Sequence, residues 1–444
     1  MRLWTTVLII LGLLALTRPL GAQPDAGQTP APTQAPTAGG GNEVLAEEAE
    51  QLMQEVARLS EQGRYDEAIT MGKRGVDLRE EALGEGHPQL ATDLNAVGLL
   101  FFFKGQYDQA ESLFDEALDI QETVLGAHHV EVATTLNNLG AVAFERGEYT
   151  QAEPLYQRAL AIRESAHGQE HPDVAQSLGN LAAVNAELGQ HEVAEGYYKR
   201  TLDLDERLLG PNHPDVATDL NNLGALYLAI QQPTKAQPLF ERALSIRRAS
   251  LPETHPDLAR TMSNLGVLHL EAGRLKDAQP LLERALSIDA QTLGKEHPEV
   301  ATDMDNLGLL YVRQGQFKEA GPLLESALTI REATFGAQHP DVADSLTNMA
   351  EYHRAQGDPK LAQVLLAKAF EIYEATLGPD HPQLLATRQR FAGAQATPTQ
   401  KPSEKSADPK DSPTQNTPTW ILVLAGLVLA LGVGSVFMGR SRSE

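Results

Sequence analysis

The amino-acid sequence predicts an all-α fold, a solenoid of antiparallel helix pairs stacked at a fixed repeat. The first observation is a His that recurs every 42 residues, eight times without insertion or deletion, from His87 to His381. The second is an apolar pattern at i, i+3, i+4 and i+7 that fits one face of a helix and returns in each unit. The third is a break, usually Gly, between the two helical stretches of a unit. A period of this length is typical of stacked repeats, whose neighbours bury each other's apolar faces.

The chain begins with a predicted signal peptide, residues 1–22. Arg2 precedes an apolar run from Trp4 to Leu16, and Ala22 is a small residue at the expected cleavage site. That run is too short to span a bilayer comfortably, so an uncleaved anchor is the weaker alternative. Residues 23–44 are rich in Pro, Thr and Gly and are predicted to be a disordered linker.

The solenoid is predicted to occupy residues 45–395. In the unit that opens at His213, Pro214 fits the first helical position and Asp215 favours the positive end of the helix dipole. The last unit provides only a capping helix, 381–395, in which Arg388 stands at a core-leucine position. The eight predicted helix pairs are 45–86, 87–128, 129–170, 171–212, 213–254, 255–296, 297–338 and 339–380.

A second linker and a membrane-spanning helix are predicted at the C-terminus. Residues 396–418 are predicted to be disordered, 419–438 to span the membrane, and 439–444 to form a cytoplasmic tail. Trp420 to Met438 contains no charge, and Arg440 and Arg442 follow at once, which places the tail inside. The repeats would then lie on the extracytoplasmic, periplasmic side. The alternative is a sorting signal whose helix is cleaved off, although no Leu-Pro-x-Thr-Gly motif precedes it.

Composition excludes several functions. The formal net charge of −24 argues against nucleic acid, which requires a basic surface. Cys is absent, so no thiolate nucleophile or Cys-ligated metal is available. No phosphate loop, His-Glu-x-x-His or Gly-x-Ser-x-Gly motif is present. The sequence therefore predicts no enzyme, no cofactor and no catalytic or metal-binding residue.

The eight recurring His residues, which we call the His ladder, have two interpretations: a site for metal or pH sensing, or a motif that begins a helix. Pro follows the His in seven of the eight units, which favours helix entry. Successive rungs are expected to be roughly 10 Å apart if helices pack at normal distances. Because Zn–N bonds are near 2 Å, adjacent rungs cannot share a metal. The ladder is therefore expected to mark where each first helix begins.

Polar amides recur at two adjacent positions of the first helix, eight and nine residues downstream of the recurring His. Asn is a mediocre helix former, and its amide can both donate to and accept from a peptide backbone. The alternative is that the amides bond a neighbouring repeat. A stripe of apolar residues beside them is either an apolar floor for a ligand or extended packing. The predicted partner-binding residues are Asn95, Asn137, Asn138, Asn180, Asn221, Asn222, Asn264, Asn306, Asn348, Phe102, Phe144, Leu228 and Leu270.

The repeated unit resembles a known family. Leu220, Leu223, Gly224 and Tyr227, followed by Ala236, Phe240 and Ala243, are similar to the tetratricopeptide consensus, and the 42-residue length resembles the kinesin light chain type. The resemblance implies a right-handed superhelix whose first helices line a concave surface. We therefore expect a membrane-anchored scaffold that binds a peptide or protein in that groove. The alternative is a structural protein of the cell envelope that self-associates as a homo-oligomer.

Overall fold

A computed structural model describes residues 40–379 and 381–392, and every regular element within them is a helix. These residues form eight helix pairs and one last helix, so the predicted all-α solenoid is confirmed. Odd-numbered helices up to α15 are called first helices and even-numbered ones second helices. The helices are α1 Gly40–Glu61, α2 Tyr65–Leu83, α3 Pro88–Phe103, α4 Tyr107–Val124, α5 Val130–Glu145, α6 Tyr149–His167, α7 Pro172–Glu187, α8 His191–Leu209, α9 Pro214–Ala229, α10 Pro233–Ser250, α11 Pro256–Glu271, α12 Leu275–Thr292, α13 Pro298–Gln314, α14 Phe317–Phe335, α15 Pro340–Ala355, α16 Pro359–Leu377 and α17 Pro382–Ala392.

Several predicted segments lie outside the described residues. They are the signal peptide 1–22, most of the linker 23–44, the linker 396–418, the spanning helix 419–438 and the tail 439–444. Helix α1 already begins at Gly40, and the Asn42 amide in its first turn donates to the Ala82 carbonyl at 3.2 Å. Across the described part of the chain, none of the helices combines the length and the apolar character that a membrane span requires.

Two compact units divide the described residues. One comprises 40–185 and 193–216, and the other comprises 186–192, 217–379 and 381–392. Within a unit, helices that follow each other in the chain pack together, and first helices of neighbouring pairs also touch, as α3 does α5 and α13 does α15. Each repeat therefore completes its core with its neighbour, as a solenoid requires.

Apolar residues at helical spacing form these interfaces. Val132, Ala133 and Leu136 of α5 pack on Ala159 and Ile162 of α6, and all five are buried. Partly buried Leu118 of the preceding second helix joins the same cluster. The i, i+1, i+4 spacing on α5 puts these side chains on one face. The core is thus built across three consecutive helices.

One glycine position lets the two helices of a pair approach closely. A Cβ at Gly98 would lie 2.5 Å from Cε1 of Phe114, and one at Gly224 would lie 2.8 Å from Cε1 of Phe240. Because real side chains do not tolerate such distances, only Gly admits the aromatic ring against the backbone of the first helix. The Gly of the repeat pattern is therefore a packing residue.

The turn within the fifth pair departs from the others. Gln231 has φ 59° and is the one non-Gly residue of the described chain with positive φ. Gly315 holds the equivalent position at φ 74°. The backbone bonds of the turn are kept, because N–H of Gln231 and Gln232 donate to the carbonyls of Leu228 and Tyr227 at 3.0 and 2.7 Å. Gln231 therefore adopts a left-handed conformation that favours Gly.

Replacing Gln231 with Gly is expected to raise the free energy of unfolding by about 1 kcal/mol, because the left-handed strain of a residue with a Cβ disappears. Urea unfolding followed by circular dichroism measures the change. The reverse substitution, Gly315→Gln, is the matched control and is expected to lower stability by a similar amount. A lower urea midpoint for Gln231→Gly would contradict the strain argument.

Candidate functional site

The predicted amide residues form two adjacent columns along the first helices. The first column contains Asn95, Asn137, Gly179, Asn221, Ser263, Asp305 and Thr347, and the second contains Asn138, Asn180, Asn222, Asn264, Asn306 and Asn348. Every one of these side chains is buried, and Asn221, Asn264 and Asn306 have no exposed surface. The columns therefore lie inside the structure and not on an open surface.

The second column bonds to the first column of the preceding repeat, 43 residues earlier. In each bond the Nδ2 of the second-column amide donates to an oxygen of the first-column side chain. The pairs are Asn138 to Asn95 Oδ1 at 3.2 Å, Asn180 to Asn137 Oδ1 at 2.5 Å, Asn264 to Asn221 Oδ1 at 3.1 Å and Asn306 to Ser263 Oγ at 3.1 Å. These bonds join neighbouring first helices, so they stabilise the stacking of repeats.

Some amide atoms of the columns remain without a hydrogen-bond partner in the part of the chain that the structure describes. They include the Oδ1 acceptors of Asn222, Asn264, Asn306 and Asn348 and the Nδ2 donor of Asn221. A buried polar group without a partner costs about 1–3 kcal/mol. The columns thus combine a structural role with unused hydrogen-bonding capacity, and their role in ligand binding stays a prediction.

The apolar stripe lies beside these columns and is also buried. Phe102 and Phe144 are each 3% exposed, and Leu228 and Leu270 are at most 1% exposed. Phe102 packs edge-on against Tyr107 with ring centroids 5.6 Å apart, and Phe144 packs on Tyr149 at 5.1 Å. Both tyrosines open the second helix of the same pair. The two Phe rings therefore help to close their own helix hairpins.

The His ladder caps the first helices. In all eight units Nδ1 of the ladder His accepts the backbone N–H two residues later, at 3.2–3.3 Å. His255 and His297 precede α11 and α13 in an extended conformation, as N-cap residues do. Each rung thus serves its own helix end. The cap needs an unprotonated Nδ1, since only the neutral ring offers an acceptor.

Acidification is expected to weaken these caps. Burial lowers the pKa of His255 and of His297 below the ordinary value of 6.5, against the opposing effects of Asp257 and Glu299. As pH falls below about 6.5 the unfolded chain takes up protons before the folded chain does, so stability falls. Each lost cap costs about 1 kcal/mol.

The measurement is the urea midpoint of the wild type and of His255→Asn/His297→Asn at pH 7.5 and pH 5.5. Asn caps helices without titrating in this range, so the double variant is expected to lose less stability on acidification. An identical loss in both proteins would contradict the cap mechanism.

A third polar column, on the second helices, was not found from the sequence. Its members recur every 42 residues and alternate in chemistry: Arg79, Gln121, Arg163, Asp205, Arg247, Asp289, Arg331 and Tyr373. All of them are buried. Fourteen residues later, on the next first helix, stands a second set of buried polar residues: Asp93, Thr135, Ser177, Asp219, Thr261, Asp303, Ser345 and Thr387. We call these two sets the second-helix column and its partners.

Two charged members of this column, Arg79 and Arg331, form buried ion pairs. Nε of Arg79 lies 2.7 Å from Oδ2 of Asp93, and Nη1 of Arg331 lies 2.7 Å from Oδ2 of Asp305. Burial raises the pKa of Asp93 and of Asp305 to about 6, while the adjacent guanidinium opposes the shift. Desolvation is therefore the larger effect at both carboxylates. The 42-residue spacing of the His ladder identifies the equivalent positions that form this column. Because the residue type at these positions changes from repeat to repeat, the sequence pattern alone does not reveal it.

Comparisons with known proteins agree with this architecture. A family model described as tetratricopeptide repeat matches residues 55–123, 95–165, 131–207, 173–249, 229–291, 257–333, 305–375 and 341–398. No curated protein sequence matches the chain.

Solved structures of repeat proteins are similar to the chain. BtubC (BKLC) from P. vanneervenii is 27% identical with a TM-score of 0.41, and covers 57% of this chain and 92% of its own. Kinesin light chain TPR-like repeats from Podosopora anserina are 28% identical with a TM-score of 0.37, and cover 47% of this chain and 98% of their own. The Rap conjugation gene regulator of plasmid pLS20, solved with a Phr peptide, is 15% identical with a TM-score of 0.55. It covers 77% of this chain and 98% of its own, and it shares the fold.

The family model covers most of the chain, and the helix pairs, the Gly–aromatic contacts and the inter-repeat amides follow the same 42-residue register. The resemblance predicted from the sequence is thereby confirmed, and the chain belongs to the tetratricopeptide repeat family.

Proposed function

We propose that the protein is a non-catalytic scaffold that binds an extended segment of a protein or peptide along the two amide columns of its first helices. The observation that carries the proposal is the row of unpartnered Oδ1 acceptors at the same position of four consecutive repeats, Asn222, Asn264, Asn306 and Asn348. Solenoids of this kind present extended binding surfaces. A ligand that supplies donors to these atoms would remove the cost of their burial.

Repeat spacing fits an extended chain. Neighbouring first helices are expected to be roughly 10 Å apart, and an extended peptide advances about 3.3 Å per residue. One contact would therefore recur about every three residues of the ligand. Because the unused groups are mainly acceptors, the ligand must present N–H groups, from its backbone or from Lys and Arg. The net charge of −24 also favours a basic or neutral segment.

Burial of the columns limits how a ligand could reach them. Since Asn221, Asn264 and Asn306 have no exposed surface, a segment would contact their amides only after the side chains packed over them move aside. The Rap regulator of plasmid pLS20, which has the same fold, is solved with a peptide. A peptide is therefore an occupant that this fold admits.

Membrane anchoring forms part of the proposal and rests on the sequence alone. The apolar segment 419–438 with its Arg-rich flank would hold the repeats on the extracytoplasmic side. Protease accessibility of a tag placed after residue 444, compared with a tag at residue 400, tests this topology. Protection of the first and cleavage of the second in sealed spheroplasts is expected, and the reverse pattern would contradict it.

The columns can be altered with residues that the chain already uses at the same positions. Asn221→Ser copies Ser263, whose Oγ accepts from Asn306, so the bond from Asn264 keeps an acceptor. Asn222→Ala copies Ala96, which stands at this position in another repeat. The double variant is therefore expected to fold with an unchanged urea midpoint while losing the free donor of Asn221 and the free acceptor of Asn222.

The test is crosslinking of the full-length chain in its native membrane, followed by affinity purification and identification of partners. We expect the double variant to capture at least tenfold less partner than the wild type. Asn138→Ala, which breaks an inter-repeat bond without removing one of the unpartnered acceptors, is the control for a purely structural effect and is expected to lower the urea midpoint. Undiminished capture by the double variant would overturn the groove assignment.

Self-association is the second candidate function, and exposed apolar side chains near the last repeat favour it. Leu361 and Val364 of α16 are 39% and 66% exposed, and Leu385 of α17 is 47% exposed. Leu361 and Val364 are three residues apart and share a helix face. Sedimentation of the full-length chain in detergent should show a dimer that Val364→Lys dissociates. A strict monomer at high concentration would exclude this candidate.

A further inference from the structure

Two imidazoles and a carboxylate meet in the loop between α6 and α7. His167 ends α6, His171 precedes α7, and Asp173 lies in the first turn of α7. Oδ2 of Asp173 lies 3.6 Å from Nε2 of His167 and 3.6 Å from Nδ1 of His171. One possible ligand atom from each of the three residues lies within 4.8 Å of the others. The side chains are 23–37% exposed, so an ion can reach them.

His167 breaks the repeat pattern at its position. In the other seven units this position holds an apolar residue: Leu83, Leu125, Leu209, Leu251, Leu293, Phe335 and Leu377. The ring of His167 stacks on that of His171 with centroids 4.1 Å apart and planes 16° apart. Phe335 stacks on the ladder residue His339 in the same way, at 4.5 Å and 18°. The backbone therefore places any ring at this position over the ladder His, and in the third repeat that ring is a second imidazole.

We propose that His167, His171 and Asp173 bind one divalent transition-metal ion of the Zn²⁺, Co²⁺ and Ni²⁺ class. Two imidazole nitrogens and one carboxylate suit these ions, whereas Mg²⁺ and Ca²⁺ prefer oxygen ligands. With bonds of about 2.0–2.2 Å, tetrahedral ligands are roughly 3.3 Å apart, so the two 3.6 Å separations need only a small closure. Because a metal ion lies in the plane of each imidazole that binds it, the stacked rings of His167 and His171 must also rotate apart when both nitrogens coordinate. Three protein ligands leave a coordination position open for water or for a group of a partner.

The site is held in place by the surrounding helix start. Nη1 of Arg163 donates to the backbone carbonyl of Asp173 at 3.1 Å and to Oγ of Ser177 at 2.8 Å, which fixes the first turn of α7. Nδ1 of His171 accepts the N–H of Asp173 at 3.2 Å. Coordination at that Nδ1 replaces one capping hydrogen bond with a metal bond. Successive residues of the His ladder are too far apart to share a metal ion. That argument does not exclude this cluster, because His167 is not a member of the ladder.

The test uses the purified full-length chain titrated with Zn²⁺ in a calorimeter and with Co²⁺ by visible absorption. We expect one tight equivalent for the wild type and at least tenfold weaker binding for His167→Leu and for Asp173→Asn. His167→Leu introduces the residue that most other repeats have at this position. The variant is therefore expected to fold normally and, when a chelator removes metal ions, to unfold at the same urea concentration as the wild type. His128→Leu removes an exposed His elsewhere and should leave binding intact. The proposal would be overturned if the wild type bound no stoichiometric Zn²⁺ or Co²⁺, or if His167→Leu bound the ion as tightly as the wild type.

A gain of binding provides the converse test. In the next repeat, Leu209 occupies the position of His167, and Nδ1 of His213 lies 3.4 Å from Oδ2 of Asp215. Leu209→His is therefore expected to add a second equivalent of Zn²⁺. If Leu209→His bound no second Zn²⁺, two His and one Asp at these positions would not be sufficient to bind the ion, and the geometric argument would be contradicted. Neither outcome depends on the proposed binding of a partner by the amide columns.

Discussion

Replacing Arg331 with Met is expected to lower the free energy of unfolding by about 3–5 kcal/mol, because it leaves the Asp305 carboxylate buried without its counter-charge. Arg331 is 1% exposed and Asp305 has no exposed surface. Nη1 of Arg331 donates to Asp305 Oδ2 at 2.7 Å and to Ser345 Oγ at 2.8 Å, and Nη2 donates to Thr302 Oγ1 at 2.8 Å. The guanidinium therefore joins α14 to the first helices α13 and α15.

The same chain contains a neutral version of this network. Gln121, Asn95 and Thr135 occupy the positions of Arg331, Asp305 and Ser345, five repeats earlier. Oγ1 of Thr135 donates to Oε1 of Gln121 at 2.7 Å, and Nδ2 of Asn95 donates to that Oγ1 at 2.7 Å. A buried hydrogen-bonded network thus exists at this position without any charge.

The matched control transfers the neutral network. Arg331→Gln/Asp305→Asn/Ser345→Thr is expected to recover most of the stability that Arg331→Met loses, because no charge is left unpaired. Urea unfolding of both variants and the wild type at pH 7 measures the difference. A loss below about 1 kcal/mol for Arg331→Met would contradict the assignment of the ion pair as a stabilising inter-repeat contact.

Much of the fold was predictable because one residue type marks each unit. The ladder from His87 to His381 fixed the register, and the apolar spacing in the unit of His213 then gave both helices of a pair. The cap bond from Nδ1 of each ladder His agrees with the predicted helix-entry role. These features are local, so a single sequence contains them.

The site was harder to predict because its roles depend on which neighbour a side chain meets. The sequence could not decide whether Asn264 bonds a ligand or a repeat, since the residue it meets, Asn221, is 43 positions away. The stripe residue Phe144 is open in the sequence to two interpretations, a ligand floor and extended packing, and the structure packs it on Tyr149 of its own hairpin. His167 does not recur every 42 residues, so the repeat pattern does not mark it, although the sequence shows that it replaces the Leu of most other repeats.

The buried acid pair between α12 and α13 is expected to make stability fall as pH rises. Asp289 and Asp303 are each 1% exposed, the charge of Asp303 raises the pKa of Asp289, and Oγ of Ser263 donates to Asp303 at 2.7 Å. Burial raises the pKa of both carboxyls, and Glu299 raises both further. Arg260 is the cation that opposes the shift at Asp289. The folded chain therefore retains a proton that the unfolded chain releases above about pH 4.

A folded state that binds more protons than the unfolded state loses stability as pH increases, so the loss begins above the ordinary Asp value and continues to alkaline pH. The Nδ2 of Asn in Asp289→Asn can donate to the Asp303 carboxylate without requiring that proton. We expect the variant to exceed the wild type in stability by about 1–3 kcal/mol at pH 8, and the difference to shrink towards pH 5. Urea midpoints of both proteins across that range measure it, with Asp119→Asn, at a solvated position of α4, as the matched control. If the advantage of Asp289→Asn were equal at pH 5 and pH 8, the shared-proton mechanism would be wrong, since packing alone does not change with pH.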